Sequence, residues 1–180
     1  MSAGAVFDAD VRLDEAGRLT LRLSAHYDHD GHSVWQALTD DDELSTWAPW
    51  QATIDPVAGG VVTVRFPDGH TAEGEVIDAE RPRRLVLRLP EDWGGNDEML
   101  RWELQPTDRG GAVVFDVTID DAELVKRAAA VWDISMQHLG TLLAGEPVVR
   151  ADSPSADPRF ERLVQEYDDL LGAEVRALTQ

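Results

Sequence analysis

Two side chains that can exchange protons stand three residues apart late in the sequence. Ser135 and His138 belong to a segment from Asp121 to Leu143 whose apolar residues recur at helical spacing. That spacing places Ser135 on the apolar side of a long helix and His138 on its flank, where either could orient a ligand and His138 could act as a base. A hydroxyl inside a helix usually bonds its own backbone, and a flank histidine is often satisfied by water or a carbonyl. Because serine, histidine and acid do not fall at a spacing typical of a nucleophilic site, we predict no catalytic residue.

A short run of acids and imidazoles raises the question of a metal site. Residues 28–32 read Asp-His-Asp-Gly-His, and carboxylate and imidazole groups suit several divalent ions. Adjacent residues on one loop rarely converge on an ion, whereas these residue types are common in turns before a helix. Residues 40–43 lack the ligand spacing of a calcium loop. Asp40, with Glu43 three residues on, instead predicts an N-terminal capping box for a helix. The sequence therefore predicts neither a metal nor a cofactor.

Charged residues in the predicted strands fall opposite the apolar ones. They are Arg22, Arg65, Glu73, Glu75, Arg88, Arg101, Glu103 and Asp116. This phase predicts that they face solvent as cross-strand pairs. Glu73 and Glu75 would need a water-poor cleft and raised pKa values to act as a general acid and base, so the alternation favours the solvated interpretation.

Tryptophan is the most informative residue type in the chain. It offers a flat apolar wall and one hydrogen-bond donor, as small-molecule pockets require, although core packing is the alternative at each position. Trp93 falls in a loop between Glu91 and Asp97, where it would cover the mouth of a cavity. The candidate ligand-binding residues are Trp35, Trp47, Trp50, Phe66, Leu87, Trp102, Phe115, Trp132, Ser135 and His138.

The elements that must position these side chains follow from periodicity. Leu19–Ala25 alternates apolar and polar residues and predicts a strand, with Val11 and Leu13 in its hairpin partner. Two short helices follow, the second capped by Asp40, and then five more alternating runs between residues 62 and 119. The long helix comes last. This order predicts an α+β fold in which an antiparallel sheet of about six to seven strands curls round one helix and leaves space for a ligand.

The chain beyond the main domain, which we place at residues 1–146, has a different character. Residues 147–158 contain three Pro and two Ser and are expected to form a linker. Residues 159–180 carry apolar side chains at helical spacing and predict an amphipathic helix. Its apolar stripe must be covered either by its own domain, which we prefer, or by a second copy in a homodimer.

The composition limits the partners that such a domain could have. The 180 residues include 35 acidic and 16 basic side chains, for a formal net charge of −19, and no cysteine. Disulfides, thiolate nucleophiles and thiolate zinc sites are therefore excluded. An acidic surface repels phosphate backbones and anionic lipids, so we expect neither nucleic acid nor a membrane as partner. Because the N-terminus lacks a basic start and an apolar stretch, we expect a cytoplasmic protein.

Several short motifs occur together in an order that is similar to a known superfamily. They are Val34-Trp35-Gln36-Ala37-Leu38-Thr39-Asp40, Trp47-Ala48-Pro49, Gly59-Gly60, Gly74-Glu75-Val76, Pro82-Arg83-Arg84-Leu85, Leu100-Arg101-Trp102-Glu103-Leu104, Gly110-Gly111, and Trp132 with Leu139 and Leu142. Over residues 18–146 the chain resembles the START-like, or SRPBCC, superfamily, in the branch of bacterial proteins named after the activator of heat-shock protein 90 ATPase. The resemblance implies a helix-grip fold with an internal hydrophobic cavity.

Three functions are compatible with these expectations. The first is binding of a small apolar or aromatic molecule in the cavity, driven by apolar burial at about 25 cal/mol per Å². The second is an enzyme of cyclase or hydrolase type acting on an aromatic or polyketide-like substrate, which would need inward polar groups beyond Ser135 and His138. The third is a co-chaperone-like interaction domain with a chaperone partner, which rests on the name of the family alone. We expect a binding protein rather than an enzyme.

Overall fold

The computed structural model describes residues 7–66, 68–89 and 98–180. The strands within these residues are β1 (Asp8–Leu13), β2 (Leu19–Tyr27), β3 (Gln51–Ile54), β4 (Val61–Arg65), β5 (Thr71–Glu80), β6 (Arg84–Arg88), β7 (Met99–Thr107) and β8 (Gly110–Ile119). The α-helices are α1 (Gly31–Thr39), α2 (Asp41–Trp47), α3 (Val125–Leu143) and α4 (Phe160–Leu178). Single 3-10 turns at Ala122–Leu124 and Pro154–Ala156 precede α3 and α4. The predicted α+β class is confirmed.

The strands of the described residues form one antiparallel sheet in the order β1-β2-β8-β7-β6-β5-β4-β3. The sheet is curved and unclosed, and it grips the long helix α3. The prediction of about six to seven strands is wrong, because these residues contain eight strands and the prediction omitted β3. This strand has four residues, two of them buried, and Pro49 and Pro56 flank it closely. An alternation of that length is too short to be recognised from sequence.

Strand pairing sends one set of side chains toward α3 and the next set away from it. Leu21 of β2 lies opposite Val117 of β8, and Leu23 lies opposite Phe115. All four side chains are fully buried. Trp102 of β7 pairs with Phe115 from the other side. Because side chains alternate with period two, the residues between these positions face the other side of the sheet.

The cap predicted at the start of α2 is present. The carboxylate of Asp40 accepts hydrogen bonds from the backbone N–H groups of Asp42 and Glu43, at 3.1 and 3.0 Å. Glu43 does not close a reciprocal capping box, because its carboxylate accepts from Gln36 Nε2 at 2.6 Å and the Asp40 N–H donates to the Gln36 carbonyl. The side chain of Glu43 therefore ties α2 to α1.

The long helix α3 ends at Leu143, two residues before a glycine. Gly145 has a φ of +72°, in the left-handed region that glycine adopts without strain. Its N–H donates to the Leu142 carbonyl at 2.9 Å, and the Glu146 N–H donates to the Thr141 carbonyl at 3.1 Å. These bonds satisfy two carbonyls of the last turn of α3 and direct the chain away from the helix axis.

The C-terminal helix α4 covers its apolar stripe on its own domain, where it contacts α3 and β1. The buried members of the stripe are Phe160, Leu163, Tyr167, Leu171 and Val175. This contact belongs to the same core that lies under the sheet. None of the helices in the described part of the chain combines the length and apolar content needed to cross a membrane.

Candidate functional site

Four aromatic residues, which we call the aromatic cluster, occupy the space between the sheet and α3. Trp132 of α3 lies at the centre, with its ring centroid 4.4 Å from that of Phe115 and 6.0 Å from that of Trp102. Trp50, just before β3, meets Trp132 nearly edge-on at 6.1 Å, and Trp102 lies 4.8 Å from Phe115. Tilted and edge-to-face contacts at these distances are favourable. Four of the predicted ligand-binding residues therefore lie together.

Three other candidates are fully buried core residues on separate elements. Trp35 belongs to α1, Trp47 to α2 and Leu87 to β6. Trp47 donates from its indole nitrogen to the Ala37 carbonyl at 2.6 Å, which joins α2 to α1. A buried indole N–H needs such a partner, so this bond fixes the angle between the short helices. The structure thus gives Trp47 a positioning contact within the helices that border the aromatic cluster.

Phe66 is the candidate that the structure places furthest from the expectation. Phe66 follows β4 and is partly buried, and its ring stacks on that of His70 with 4.2 Å between centroids. This contact closes the hairpin between β4 and β5. Trp93, predicted to cover the mouth of a cavity, lies outside the described residues.

Ser135 and His138 lie beneath the segment that leads to α4, residues 147–159, which we call the strap. They face it across a void of about 10 Å³, which also touches residues 48–49 and has room for about one water molecule. Ser135 is 2% exposed, and its Oγ donates to the Val131 carbonyl at 2.9 Å. The hydroxyl therefore bonds its own helix, as a serine at such a position commonly does.

His138 is half-buried and stands beside two guanidinium groups of the strap. Its Nε2 lies 3.5 Å from Arg159 Nη2. Burial, followed by the positive charges of Arg159 and Arg150, lowers the pKa of His138. The imidazole is therefore neutral near pH 7, where it can accept a hydrogen bond from a polar group.

Arg150 fastens the strap to the end of α2. Its Nη1 donates to the Ser45 carbonyl at 2.5 Å and approaches the Thr46 carbonyl at 3.3 Å. Both carbonyls belong to the last turn of α2, where the helix dipole is negative and carbonyls lack helical partners. One cation thus satisfies the end of a helix and holds the strap over Ser135.

A polar network between α3 and α4 was not predicted. Tyr167 donates to Asp133 Oδ2 at 2.6 Å, and Gln137 donates to the other oxygen of Asp133. Arg159 in turn donates to Gln137 Oε1 at 2.6 Å. Burial raises the pKa of Asp133, although these hydrogen bonds partly oppose it. The signal in the sequence was Tyr167 itself, since a phenol within an apolar stripe needs a partner when buried.

On the far side of the sheet, Asp116 corrects the prediction of a solvated strand residue. It is only 7% exposed. Arg22 donates to both of its oxygens, at 2.7 and 2.8 Å, and Arg12 donates to one at 2.8 Å. These charge-assisted hydrogen bonds from two cations compensate for the burial of the carboxylate. The prediction holds for Glu73 and Glu75, which are exposed. The remaining members of the set are exposed or half-exposed: Arg22, Arg65, Arg88, Arg101 and Glu103.

Residues 28–32, the run of acids and imidazoles, form the turn into α1. The carboxylate of Asp30 accepts from the backbone N–H groups of His32 and Ser33 at 2.8 and 2.9 Å. This is the arrangement of an N-terminal helix cap. Within the described ranges, no three histidine, aspartate or glutamate side chains gather closely enough to hold a metal ion.

The sequence profile of a family described as activator of Hsp90 ATPase homolog 1-like protein matches residues 29–144. This span runs from the turn before α1 to the end of α3 and therefore contains the aromatic cluster. No functionally curated protein matches the chain.

Solved structures extend the likeness beyond that span. The crystal structure of CalU16 from Micromonospora echinospora has a TM-score of 0.73 at 21% identity and covers 95% of this chain and 98% of its own. The conserved protein EF2215 from Enterococcus faecalis, of unknown function, has a TM-score of 0.71 at 16% identity, covering 92% and 91%. Residues 1–146 are only about 81% of the 180. Both matches therefore extend beyond a span the length of residues 1–146.

Proposed function

We propose, because the chain belongs to the activator of Hsp90 ATPase homolog 1-like family within the SRPBCC superfamily, that it binds a small apolar or aromatic molecule between the sheet and α3. This family often binds hydrophobic ligands. The proposed site is the aromatic cluster, with Ser135 and His138 at the end covered by the strap. The ligand would be oriented by few polar groups and held mainly by apolar burial.

The observation that carries the proposal is the aromatic cluster. Its members come from β7, β8, α3 and the segment before β3, so one ligand there would contact every layer of the domain. In this conformation Trp132 contacts the other three rings, which means that a planar ligand must displace an indole. Trp132 and Trp50 meet edge-on, so movement of either would expose a ring face on which an aromatic molecule can stack.

The polar groups beside the cluster fit binding better than catalysis. The Ser135 hydroxyl already donates its hydrogen bond to the Val131 carbonyl. Burial lowers the pKa of His138, and its strongest electrostatic neighbours, two arginines rather than a carboxylate, lower it further. A histidine that acts as a base beside a serine is usually oriented by an acid. We therefore assign His138 the role of a hydrogen-bond acceptor for the ligand.

The test is a titration of the purified chain with N-phenyl-1-naphthylamine, a neutral aromatic fluorophore. We expect saturable energy transfer from tryptophan to the probe at one molecule per chain. Trp132→Phe should weaken binding by about threefold or more, because it alters the ring that contacts the other three. Trp47→Phe, the same chemical change between α1 and α2, is the matched control. Absence of saturable transfer, or an equal loss in both variants, would overturn the proposal.

A further inference from the structure

A second cavity lies on the side of the sheet that faces away from α3. It has a volume of about 550 Å³, within the range of small-molecule sites. The turn between β1 and β2, residues 14–18, closes one end, and outward side chains of β2, β6, β7 and β8 form its floor. We call it the outer groove. It shares no residue with the aromatic cluster.

The floor of the outer groove is buried although its residues belong to the solvent-facing phase of the strands. Thr20, Val86 and Asp116 are each at most 7% exposed. The Oγ of Thr20 has no hydrogen-bond partner within the described residues. A buried hydroxyl without a partner is rare because it has lost water and gained nothing in return. Since Thr20 lines the groove, a ligand seated there could supply the missing partner.

Two of the three acidic groups that line the outer groove, Asp116 and Asp14, have little accepting capacity left, and the third, Glu15, is exposed in the turn between β1 and β2. Asp116 accepts three hydrogen bonds from Arg12 and Arg22. Asp14 accepts from the backbone N–H groups of Ala16 and Arg18 and from Arg18 Nε, at 2.8 to 3.1 Å. Both carboxylates therefore serve to fix the turn and the arginines.

The arginines, in contrast, keep donors free to bind a ligand. Among the described residues, Arg12 donates through Nη2, Arg18 through Nε, and Arg101 approaches Glu103 through Nη1 at 3.5 Å. A guanidinium has five N–H groups, so each of the three retains several. All three side chains are partly exposed and line the groove. Apart from the exposed Glu15, the groove therefore has unused hydrogen-bond donors rather than unused acceptors, which matches an anionic ligand.

We propose that the outer groove binds a small organic anion with a hydrocarbon body. Its carboxylate or phosphate group would accept hydrogen bonds from Arg18, Arg101 and Thr20, and its apolar part would lie on Val86 and Met99. The net charge of −19 does not prevent this, because the screening length at about 0.15 M salt is about 8 Å. At that range the three arginines of the groove act on the ligand more strongly than distant acids do.

The experiment is calorimetric titration of the full chain with octanoate, octyl phosphate and the neutral analogue octanamide. We expect an anion to bind one to one with a Kd below about 1 mM, and less tightly as salt rises from about 50 to about 500 mM. Octanamide should not bind measurably. Either anionic headgroup supports the proposal, and the tighter of the two identifies the group that the arginines prefer.

Variants then locate the site. Arg101→Gln should weaken anion binding about fivefold or more, and Thr20→Val, which keeps the shape and removes the hydroxyl, about threefold. Arg162→Gln, on the exposed surface of α4 and paired with Glu166, should have no effect and is the matched control. Melting temperatures of all variants establish that they fold.

The outer groove and the aromatic cluster can fail separately. Trp132→Phe should leave anion binding unchanged, since the cluster lies across the sheet. Equal binding of octanoate and octanamide, anion binding that Arg101→Gln and Thr20→Val do not weaken, or no anion binding at all would overturn the proposal for the groove. None of these results bears on the binding of a neutral aromatic molecule between the sheet and α3.

Discussion

The two faces of the sheet are made by the same alternation and yet bury different chemistry. On β7 and β8, Trp102 and Phe115 point toward α3, while their neighbours Arg101 and Asp116 point the other way. The inner face is closed by ring contacts that resemble those of any core. The outer face is closed by arginines that cover a buried carboxylate. Apolar burial gives affinity with little direction, whereas charged hydrogen bonds fix geometry. The proposed inner site would therefore accept a range of shapes, and the proposed outer site would select a particular headgroup.

Truncation of Trp132, at the centre of the inner face of the sheet, should have the largest effect on stability. Trp132→Ala removes the ring that contacts Trp50, Trp102 and Phe115, and it leaves a cavity beneath the sheet. We expect a loss of about 3–5 kcal/mol in the free energy of unfolding, measured by urea denaturation. Trp132→Phe, which keeps a ring, should lose clearly less. A loss below about 1 kcal/mol for the alanine variant would mean that the cluster is loosely packed.

The equivalent change on the outer face should cost less, because its arginines remain partly hydrated. Asp116→Asn removes the charge that Arg12 and Arg22 share, and we expect a loss of about 1–3 kcal/mol. Glu75→Gln is the matched control, since Glu75 approaches Arg88 at 3.4 Å and both are about half exposed. Its loss should stay below about 0.5 kcal/mol. Similar losses in the two variants would show that the burial of Asp116 has no energetic consequence.

Much of the fold is encoded in local sequence and could be predicted. Alternation from Leu19 to Ala25 and helical spacing from Asp121 to Leu143 each span enough residues to define a period. The cap at Asp40 and the stop at Gly145 are single-residue signals with a direct mechanism. β3 escaped prediction because four residues do not establish an alternation.

The site was predictable only where it follows from strand phase. Trp102, Phe115 and Trp132 share the apolar phase of their elements, and the structure brings them together. The burial of Asp116 was not predictable, because Arg22 reaches it from 94 positions away in the sequence. The strap that covers Ser135 could not be predicted either, because its position depends on where α4 docks. Pairing between distant segments is a tertiary property that no local pattern contains.

Glu98, the residue directly before β7, offers a pH test of the contrast between the two faces of the sheet. Glu98 stands two residues before the buried Leu100, and burial, with a smaller contribution from Asp120, raises its pKa to about 7. The folded protein then holds this proton more tightly than the unfolded chain. The stability that comes from binding this proton is fully present below about pH 4.5, and it is lost as pH rises through about 7.

Glu98→Gln should therefore stabilise the protein by about 1–2 kcal/mol at about pH 8 and have little effect at about pH 4. The measurement is urea denaturation across that range. Asp152→Asn, on the exposed part of the strap, controls for the loss of one negative charge. A parallel shift at every pH, or a gain from Asp152→Asn as large as that from Glu98→Gln, would contradict the assignment of the effect to burial.

The smallest expected effect concerns the strap, which closes one end of the inner space while the outer groove stays open. Because the chain has no cysteine, Ser135→Cys places a single thiol beneath the strap. Its reaction with a soluble thiol reagent then reports how often the strap lifts. Arg150→Ala removes the bonds to the Ser45 and Thr46 carbonyls, and we expect labelling about tenfold faster, equivalent to about 1.4 kcal/mol.

The control distinguishes lifting of the strap from opening of the whole domain. Ala129→Cys places a thiol at a fully buried position on the same helix α3, away from the void under the strap. If the whole domain opens, Arg150→Ala should increase the labelling rates of both thiols equally. Local opening accelerates labelling only at residue 135, because residue 129 is fully buried in the core and does not line the void under the strap. Equal acceleration would therefore mean that Arg150 stabilises the domain as a whole, and that the strap has no independent motion.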